Sequence, residues 1–493
     1  MTDTSAPATP RGGRSASKRM AANSGWQLVG FAARAISGLG VVVLVARSGG
    51  PRSLGIFQFA LTLTAMLPFF FGIPSLLARE VARRPADGRK WVEAGTLISL
   101  AFGGFFTLLF GVGAVVVDAS PETILAVPLA GVGMAFDGVA RVQFAAFWAW
   151  ERMNLEALVT VVQEAVFLLA TVIVLEMGGG VEGALFAFSG SRALGAGLGW
   201  MLVGRHLGGP TVPRGERQFL RTTLRRCTPF AVNDTLTLTY MRVDSVMLGM
   251  FKGPVAVGLY QAGTNLVLYL NVLARCINHA LYPRMSKAWP DRLGDFRRLR
   301  DASYRAIGLI AMPAAVGCLL LAGRTFHLLY GSRFNRAIVT YQLLVLVIPV
   351  RMLGNTLSLS LSAANLQTRR TVAVTMAAAL NVGLNLYFIP RWSYLGAAVT
   401  TVVCESSLLL TYAFYLHRVA GSSDLLRSVS LPGAATIPMA LAILATRDQH
   451  LLVSAFAGVA VYGMALVAIA LVQDRGSIRQ QPVRALVNLV RPA

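Results

Sequence analysis

Long apolar stretches recur from one end of this chain to the other, and they set the main limit on how it can fold. Each has at least 18 residues, so each is long enough as a helix to cross a hydrocarbon core of roughly 30 Å. With 55% hydrophobic and 14% charged residues in 493, the chain is too apolar for a soluble protein of this size. We predict an all-α integral membrane protein with about 14 transmembrane helices. The predicted spans are 25–46, 56–78, 94–117, 124–150, 155–177, 183–203, 228–250, 255–281, 304–324, 337–362, 371–390, 394–416, 430–447 and 450–472.

The net charge of +23 is unevenly distributed between the predicted loops. With the N-terminus inside, the inner segments hold 30 Lys and Arg and the outer loops hold 6. This asymmetry follows the positive-inside rule and predicts a multi-pass protein of the cell inner (cytoplasmic) membrane, with both termini cytoplasmic. Residues 1–24 are polar and basic, so no cleavable signal peptide is needed. No aromatic-interleaved basic fold is present, and we expect no nucleic-acid partner.

One short phrase occurs twice, about 200 residues apart. GPRSLGIFQ (50–58) lies in the turn after the first span, and GPVAVGLYQ (253–261) lies in the turn after the seventh. Gly-Pro ends one helix and allows the next to begin at once, which predicts a tight helical hairpin. Residues 181–209 and 394–421 form a second, longer echo in the same order. Coincidence between short turns is the alternative, but two echoes in matching order favour an internal duplication.

The duplication predicts two six-helix lobes in the same orientation around a central cavity, followed by two extra helices. Parallel repeats of this kind are a transporter architecture, with the substrate path near the membrane midplane. The predicted organisation is a cytoplasmic basic tail (1–24), an N-terminal lobe (25–203), a cytoplasmic linker (204–227), a C-terminal lobe (228–416), two additional transmembrane helices (430–472) and a cytoplasmic tail (473–493). The last 16 residues are expected to form a basic amphipathic helix on the inner membrane surface.

Charged residues inside the predicted spans are the candidate functional groups. Each costs roughly 2.5–3.5 kcal/mol at the centre of a membrane helix, so such groups normally face the protein interior or a wet cavity. Guanidinium groups bind phosphate in a bidentate way and stay charged, which favours an anionic substrate. The candidate substrate-binding cations are Arg34, Arg192, Arg242, Arg275 and Arg351.

Four further charges are candidates for gating or for coupling to an ion gradient: Asp137, Arg141, Glu164 and Glu405. Asp137 and Arg141 are four residues apart on one helix face, so they form either an internal ion pair or a substrate gate. Arg192 and Glu405 fall at equivalent places in the second echo, which leaves open a pair across the pseudo-twofold axis.

Several kinds of chemistry have no signature in this sequence. No GxxxxGK[ST], HExxH or GxSxG motif occurs, so we expect neither ATP hydrolysis nor another enzymatic activity. The four cysteines are far apart, and no pair has metal-ligand spacing. We therefore predict no cofactor and no metal, and a proton or sodium gradient or the membrane potential as the energy source.

Five strings of residues resemble one known family. They are SLGIFQFA (53–60), RVDSVMLGMFKGPVAVGLYQAG (242–263), ALYPRMS (280–286), LLYGSRF (328–334) and NVGLNLYFIPRWSYLGAA (381–398). Together they resemble the polysaccharide-biosynthesis flippases (Wzx-type oligosaccharide transporters) of the multidrug/oligosaccharidyl-lipid/polysaccharide exporter superfamily.

The resemblance implies 14 helices in two lobes around a central cavity. It implies transfer of an undecaprenyl-diphosphate-linked oligosaccharide to the outer leaflet by alternating access, for cell-surface polysaccharide synthesis. The implied partners are the lipid-linked anionic oligosaccharide, membrane lipids, and a polysaccharide polymerase with its chain-length machinery. Drug/cation antiporters of the superfamily usually carry a carboxylate in the first span, whereas this chain carries Arg34 there.

Two other readings stay open at this point. A lipid II flippase or a multidrug exporter would share the fold. A non-transporting scaffold for glycan assembly would need the cytoplasmic loops but not the intramembrane arginines.

Overall fold

The computed structural model describes residues 13–66, 69–116, 120–207, 217–421 and 425–473, and within these ranges it contains helices and short turns but no strand. The α-helices, in chain order, are α1 (Gly13–Ala65), α2 (Phe69–Arg83), α3 (Gly88–Val116), α4 (Pro121–Ala149), α5 (Met153–Glu176), α6 (Gly180–His206), α7 (Arg217–Lys252), α8 (Pro254–Ala288), α9 (Leu293–Leu320), α10 (Ala322–Tyr330), α11 (Ala337–Val345), α12 (Val347–Ala363), α13 (Gln367–Ala420), α14 (Leu425–Ala445) and α15 (Leu451–Gln473). The predicted all-α class is confirmed.

Nine helical segments in this described part have the length and composition to cross a membrane. The helix α13 covers two predicted spans, and α1 covers the first span and the beginning of the second, which α2 continues. The helix α1 is broken at Gly50 (φ 72°, ψ −163°), immediately before Pro51, and α13 is broken at Ser393 (φ 52°, ψ −132°). Both breaks fall in turns where the sequence predicts the chain to reverse. The chain is therefore a multi-pass helical membrane protein, in rough agreement with the predicted count.

The described residues divide into two compact units. The first unit runs to Leu44 and resumes over Leu63–Thr235, and its closest helix packing joins α4 to α3 and to α6. Its core is aromatic: Trp91, Phe144 and Phe147 pack with aliphatic side chains from α2, α3 and α4.

The second unit contains Val45–Thr62 together with the chain from Leu236 onward. The outer part of predicted span 2 thus packs with helices of the second unit, although its sequence lies in the first repeat. The two units are defined by how the helices pack. The duplication into two six-helix lobes is a separate prediction from the sequence and stays a prediction.

The two copies of the repeated phrase meet inside the second unit. A Cβ atom placed on Gly55 would lie 1.7 Å from the carbonyl oxygen of Pro254. A Cβ atom on Gly258 would lie 1.9 Å from the carbonyl oxygen of Pro51. The contact is reciprocal, and each copy supplies the glycine that lets the other copy's backbone approach.

The last two helices extend the second unit. Met439 and Ile443 of α14 pack with Tyr462 of α15, whose hydroxyl donates to the Leu309 carbonyl oxygen at 3.0 Å. Residues 1–12 and 474–493 of the predicted tails and the centre of the linker lie outside the described residues, whereas residues 13–24 already belong to α1. The predicted C-terminal amphipathic helix also lies outside the described residues.

Candidate functional site

A buried ion pair joins α5 and α6 in the first unit. Arg192 Nη1 donates to Glu164 Oε1 at 2.8 Å, and both side chains are almost fully buried. The guanidinium carbon lies 4.8 Å from the ring centroid of Phe188 and 5.6 Å from that of Phe167. Two aromatic faces therefore supplement the carboxylate in holding this cation in an apolar environment. Arg192 Nε has no hydrogen-bond partner among the described residues, so the guanidinium retains a donor for another acceptor.

Arg141 and Asp137 form an ion pair along one face of α4. The Arg141 Nε to Asp137 Oδ2 distance is 2.7 Å, and the arginine side chain is 39% exposed. Of the two options that the four-residue spacing allows, this conformation contains the internal pair. Its exposure leaves the arginine accessible from outside its own helix.

Arg34 on α1 is held differently. Its Nη2 donates to the Thr160 hydroxyl at 3.2 Å, and its guanidinium carbon lies 5.8 Å from the ring centroid of Phe144. Arg34 has no ion pair with a described residue, and the carboxylates of Asp137 and Glu156 act on it only at longer range. Since the side chain is exposed, its positive charge is available to an external anion.

In the second unit a buried ion pair joins α12 and α13. Arg351 donates to Glu405 Oε1 from Nε at 3.0 Å and from Nη2 at 2.6 Å. Both donors meet one oxygen, so Glu405 Oε2 remains for other donors. The two side chains are nearly buried.

Arg192 and Glu405, at equivalent positions of the second echo, carry opposite charges and each has a partner within its own unit. Arg192 binds Glu164, and Glu405 binds Arg351. Each of these two charges is thus compensated inside its own unit.

A second polar cluster in this unit surrounds Asp244 of α7. Asp244 Oδ2 accepts a short hydrogen bond from the Tyr260 hydroxyl, which also contacts the Thr401 hydroxyl at 2.9 Å. Asp244 Oδ1 accepts from the Ser245 backbone N–H at 2.7 Å, and Gln261 Nε2 donates to the Ser245 hydroxyl at 2.9 Å. Helices α7, α8 and α13 are thereby connected through one carboxylate.

Our sequence reasoning placed Asp244 inside a span but did not include it among the candidate site residues. The available signal was the repeated phrase itself, because Tyr260 and Gln261 are the last two residues of GPVAVGLYQ. The equivalent Phe57 and Gln58 of the first copy are also buried, but Phe57 has no hydroxyl for such a contact.

The two remaining candidate cations are Arg242 and Arg275. Arg242, on α7, is partly buried and makes no hydrogen bond or ion pair with a described residue. The side chain of Arg275 lies outside the described residues. In the described part of the chain no group of three or more His, Cys, Asp or Glu could hold a metal ion.

The sequence pattern of one protein family covers more than half of the chain. The polysaccharide biosynthesis protein family matches residues 20–289. The chain belongs to this family. The match includes every candidate charged residue of the first unit.

Curated relatives are similar over part of their length. An uncharacterized membrane protein in the cps region of Klebsiella pneumoniae is 26% identical over 251 residues, which are 49% of this chain and 50% of that protein. The probable flippase AglR of Haloferax volcanii is 27% identical over 170 residues, which are 34% of this chain and 36% of that protein. The matches thus span half or less of these relatives.

Solved transporter structures share the fold of this family member. The lipid II flippase MurJ in an inward closed conformation matches 92% of this chain and 99% of its own, with a TM-score of 0.75 and 17% identity. An inward-facing multidrug resistance MATE family transporter of the MOP superfamily matches 80% of this chain and 96% of its own, with a TM-score of 0.65 and 16% identity. At such identities the likeness establishes the fold alone, and none of these proteins is named as an enzyme.

Proposed function

We propose that this member of the family is a flippase that moves an undecaprenyl-diphosphate-linked oligosaccharide across the cytoplasmic membrane by alternating access. The product would supply cell-surface polysaccharide synthesis, and a polymerase with its chain-length machinery would use it on the outer side. In this proposal both termini are cytoplasmic, in keeping with the charge asymmetry of the loops.

The observation that carries the proposal is that each unit holds one intramembrane arginine without a carboxylate partner among the described residues. These are Arg34 in the first unit and Arg242 in the second. A cation inside a membrane helix costs roughly 2.5–3.5 kcal/mol. Neither residue offsets this cost with an ion pair to a described residue, and Asp244 acts on Arg242 only at longer range. A diphosphate is the ligand chemistry that such guanidinium groups accept best, because it is anionic and geometrically matched to them.

The paired arginines suggest how transport is coupled to an ion gradient. A diphosphate that competes for Arg192 or Arg351 displaces the carboxylate of Glu164 or Glu405. An uncompensated carboxylate in a buried place costs several kcal/mol, and binding a proton or a sodium ion removes this cost. Substrate binding and cation uptake would then occur together. Asp137 and Arg141 form a more exposed pair, for which we propose a role in gating and not in coupling.

The proposal is tested with inverted membrane vesicles that contain the lipid-linked oligosaccharide and the reconstituted protein. Arg34→Ala and Arg242→Ala are each expected to lower the transfer rate at least tenfold, whereas Arg34→Lys keeps the charge and should retain more activity. Arg391→Ala is the matched control, because Arg391 is exposed beside the break of α13 at Ser393. Its guanidinium carbon lies 3.7 Å from the ring centroid of Tyr387 on the same helix. Unchanged transfer in both Ala variants would refute the proposal.

Two other functions, lipid II transport and a scaffold role, are distinguished by experiments in cells. Rescue of a strain that lacks its lipid II flippase would favour lipid II as the substrate. A glycan-assembly scaffold would keep polysaccharide export in the arginine variants and lose it on changes to the cytoplasmic loops.

A further inference from the structure

A cluster of exposed cations lies where three turns of the second unit meet. Of the six Lys and Arg in the predicted outer loops, five come from these turns. We call this cluster the turn patch, and it consists of Arg47, Arg52, Lys252, Arg333 and Arg336. All five side chains are exposed.

Direct contacts hold the turns together. Arg47 Nε donates to the Leu329 carbonyl oxygen at 2.9 Å, and its Nη2 donates to that of Leu328. A Cβ atom on Gly50 would lie 3.4 Å from Arg333 Cδ. The turn after the first span and the turn after α10 therefore lie side by side.

The third turn is held by the reciprocal glycine contact. Gly55 packs on the carbonyl oxygen of Pro254, two residues after Lys252. The close contact between the two repeated phrases thus lies directly beneath the turn patch and holds the first and third turns together.

The backbone beneath Arg333 and Arg336 is anchored by aromatic side chains. Phe326, Tyr330 and Phe334 are almost completely buried, with ring centroids 5.2 Å apart in each successive pair. The Tyr330 hydroxyl donates to the Ala262 carbonyl oxygen at 3.1 Å. Rigid anchoring lowers the entropic cost of ordering the arginines when a ligand binds.

Arg333 and Arg336 are the most available members of the patch. They are three residues apart in a helical turn, so their side chains extend on the same side. Neither makes a hydrogen bond or an ion pair with a described residue. The segments 45–62, 248–262 and 322–341 contain no Asp or Glu, so no acidic side chain of these turns neutralises the cluster.

Membrane insertion does not account for this concentration of charge. The positive-inside rule places topogenic cations on the opposite face of the predicted topology. The turns also break or follow helices at Gly50, Gly253 and Gly331, and in the predicted topology they lie at one membrane surface, at the depth of lipid headgroups.

We propose that the turn patch binds lipid-borne phosphate at this surface of the membrane. Two sources share that chemistry: an anionic phospholipid of the leaflet, and the diphosphate of a lipid-linked product on its way out. The second source rests on the proposed flippase function, whereas the first does not.

The test measures lipid binding by native mass spectrometry on the purified full-length protein in detergent. The variant is Arg333→Gln with Arg336→Gln, and the matched control is Arg391→Gln. All proteins also carry Arg34→Ala and Arg242→Ala, so that these two intramembrane arginines do not contribute to binding. The probes are phosphatidylglycerol, undecaprenyl diphosphate and, as a neutral reference, undecaprenol.

Binding of an anionic probe is expected to weaken roughly ten- to thirtyfold in the double Gln variant and to stay unchanged in the control. Arg333→Lys with Arg336→Lys should restore most of it, which separates loss of charge from misfolding. If the double Gln variant binds only undecaprenyl diphosphate more weakly, the patch is assigned to the lipid-linked product. If it binds phosphatidylglycerol more weakly, the patch is assigned to leaflet lipid. Equal affinities in the double Gln variant and the control overturn the proposal, whether or not vesicle transport succeeds.

Discussion

Gly55 and Gly258 occupy the same position in the two copies of the repeated phrase, and each packs directly on the proline carbonyl of the other copy. The backbone nitrogen of Gly258 lies 3.0 Å from the place a Cβ of Gly55 would take, and the converse distance is also 3.0 Å. Each copy of the phrase is therefore part of the packing surface of the other. Only glycine allows two helices to approach so closely.

Replacing either glycine by alanine should therefore disturb the protein far more than one methyl group normally does. Gly55→Ala or Gly258→Ala forces the backbone to move, and overpacking typically costs about 1–3 kcal/mol or more. The expected result is a lower thermal unfolding midpoint in detergent. Gly383→Ala is the control, because a Cβ there has no neighbour within 4 Å. Equal midpoints for all three variants would show that the crossing tolerates a side chain.

Local sequence signals predicted the breaks between helices well. Gly50 and Pro51 end and restart a helix where the Gly-Pro pair predicts it, and Ser393 breaks α13 within the predicted turn 391–393. Helix ends in polar surroundings were predicted less well. The helix α9 begins at Leu293, eleven residues before predicted span 9, because hydropathy detects the apolar part of a helix but not its basic extension.

The sequence also predicts some partners of the charged residues and not others. Asp137 and Arg141 pair through their four-residue spacing on one helix, which sequence alone can indicate. Arg192 finds Glu164 on another helix, 28 residues away, and that contact depends on how two helices are rotated against each other. Periodicity does not contain this information.

Variants of the Arg192–Glu164 ion pair should affect the stability of the protein and its transport rate differently. Removing one partner by Glu164→Ala leaves a buried cation uncompensated, and the expected loss of stability is about 3–5 kcal/mol. Arg192→Met together with Glu164→Leu removes both charges and should restore much of that loss. The double variant should nevertheless transport the lipid-linked oligosaccharide poorly. Unfolding midpoints and vesicle transfer rates are measured on the same preparations, and full transport by the double variant would exclude a substrate role for Arg192.

The hydrogen bond between Tyr260 and Asp244 should contribute to stability. Tyr260→Phe removes the donor and leaves a buried carboxylate oxygen without it, at an expected cost of about 1–3 kcal/mol. Tyr304→Phe is a demanding control, because Tyr304 is equally buried but its hydroxyl has no partner among the described residues. That substitution should be neutral or stabilising. If the two variants unfold at the same temperature, the Asp244 cluster makes no net contribution.

Glu405 gives the sharpest test of coupling. Glu405→Gln keeps the size of the side chain and an acceptor for Arg351 but fixes the neutral state that a bound proton would produce. If release of Glu405 drives cation uptake, the variant should still exchange lipid-linked oligosaccharide between leaflets but fail to accumulate it under an imposed proton or sodium gradient. Asp137→Asn makes the same chemical change in the more exposed pair with Arg141 and should keep gradient-driven accumulation. Normal accumulation by Glu405→Gln would exclude this carboxylate as the coupling group, and Glu164→Gln would then be the variant to measure under the same gradient.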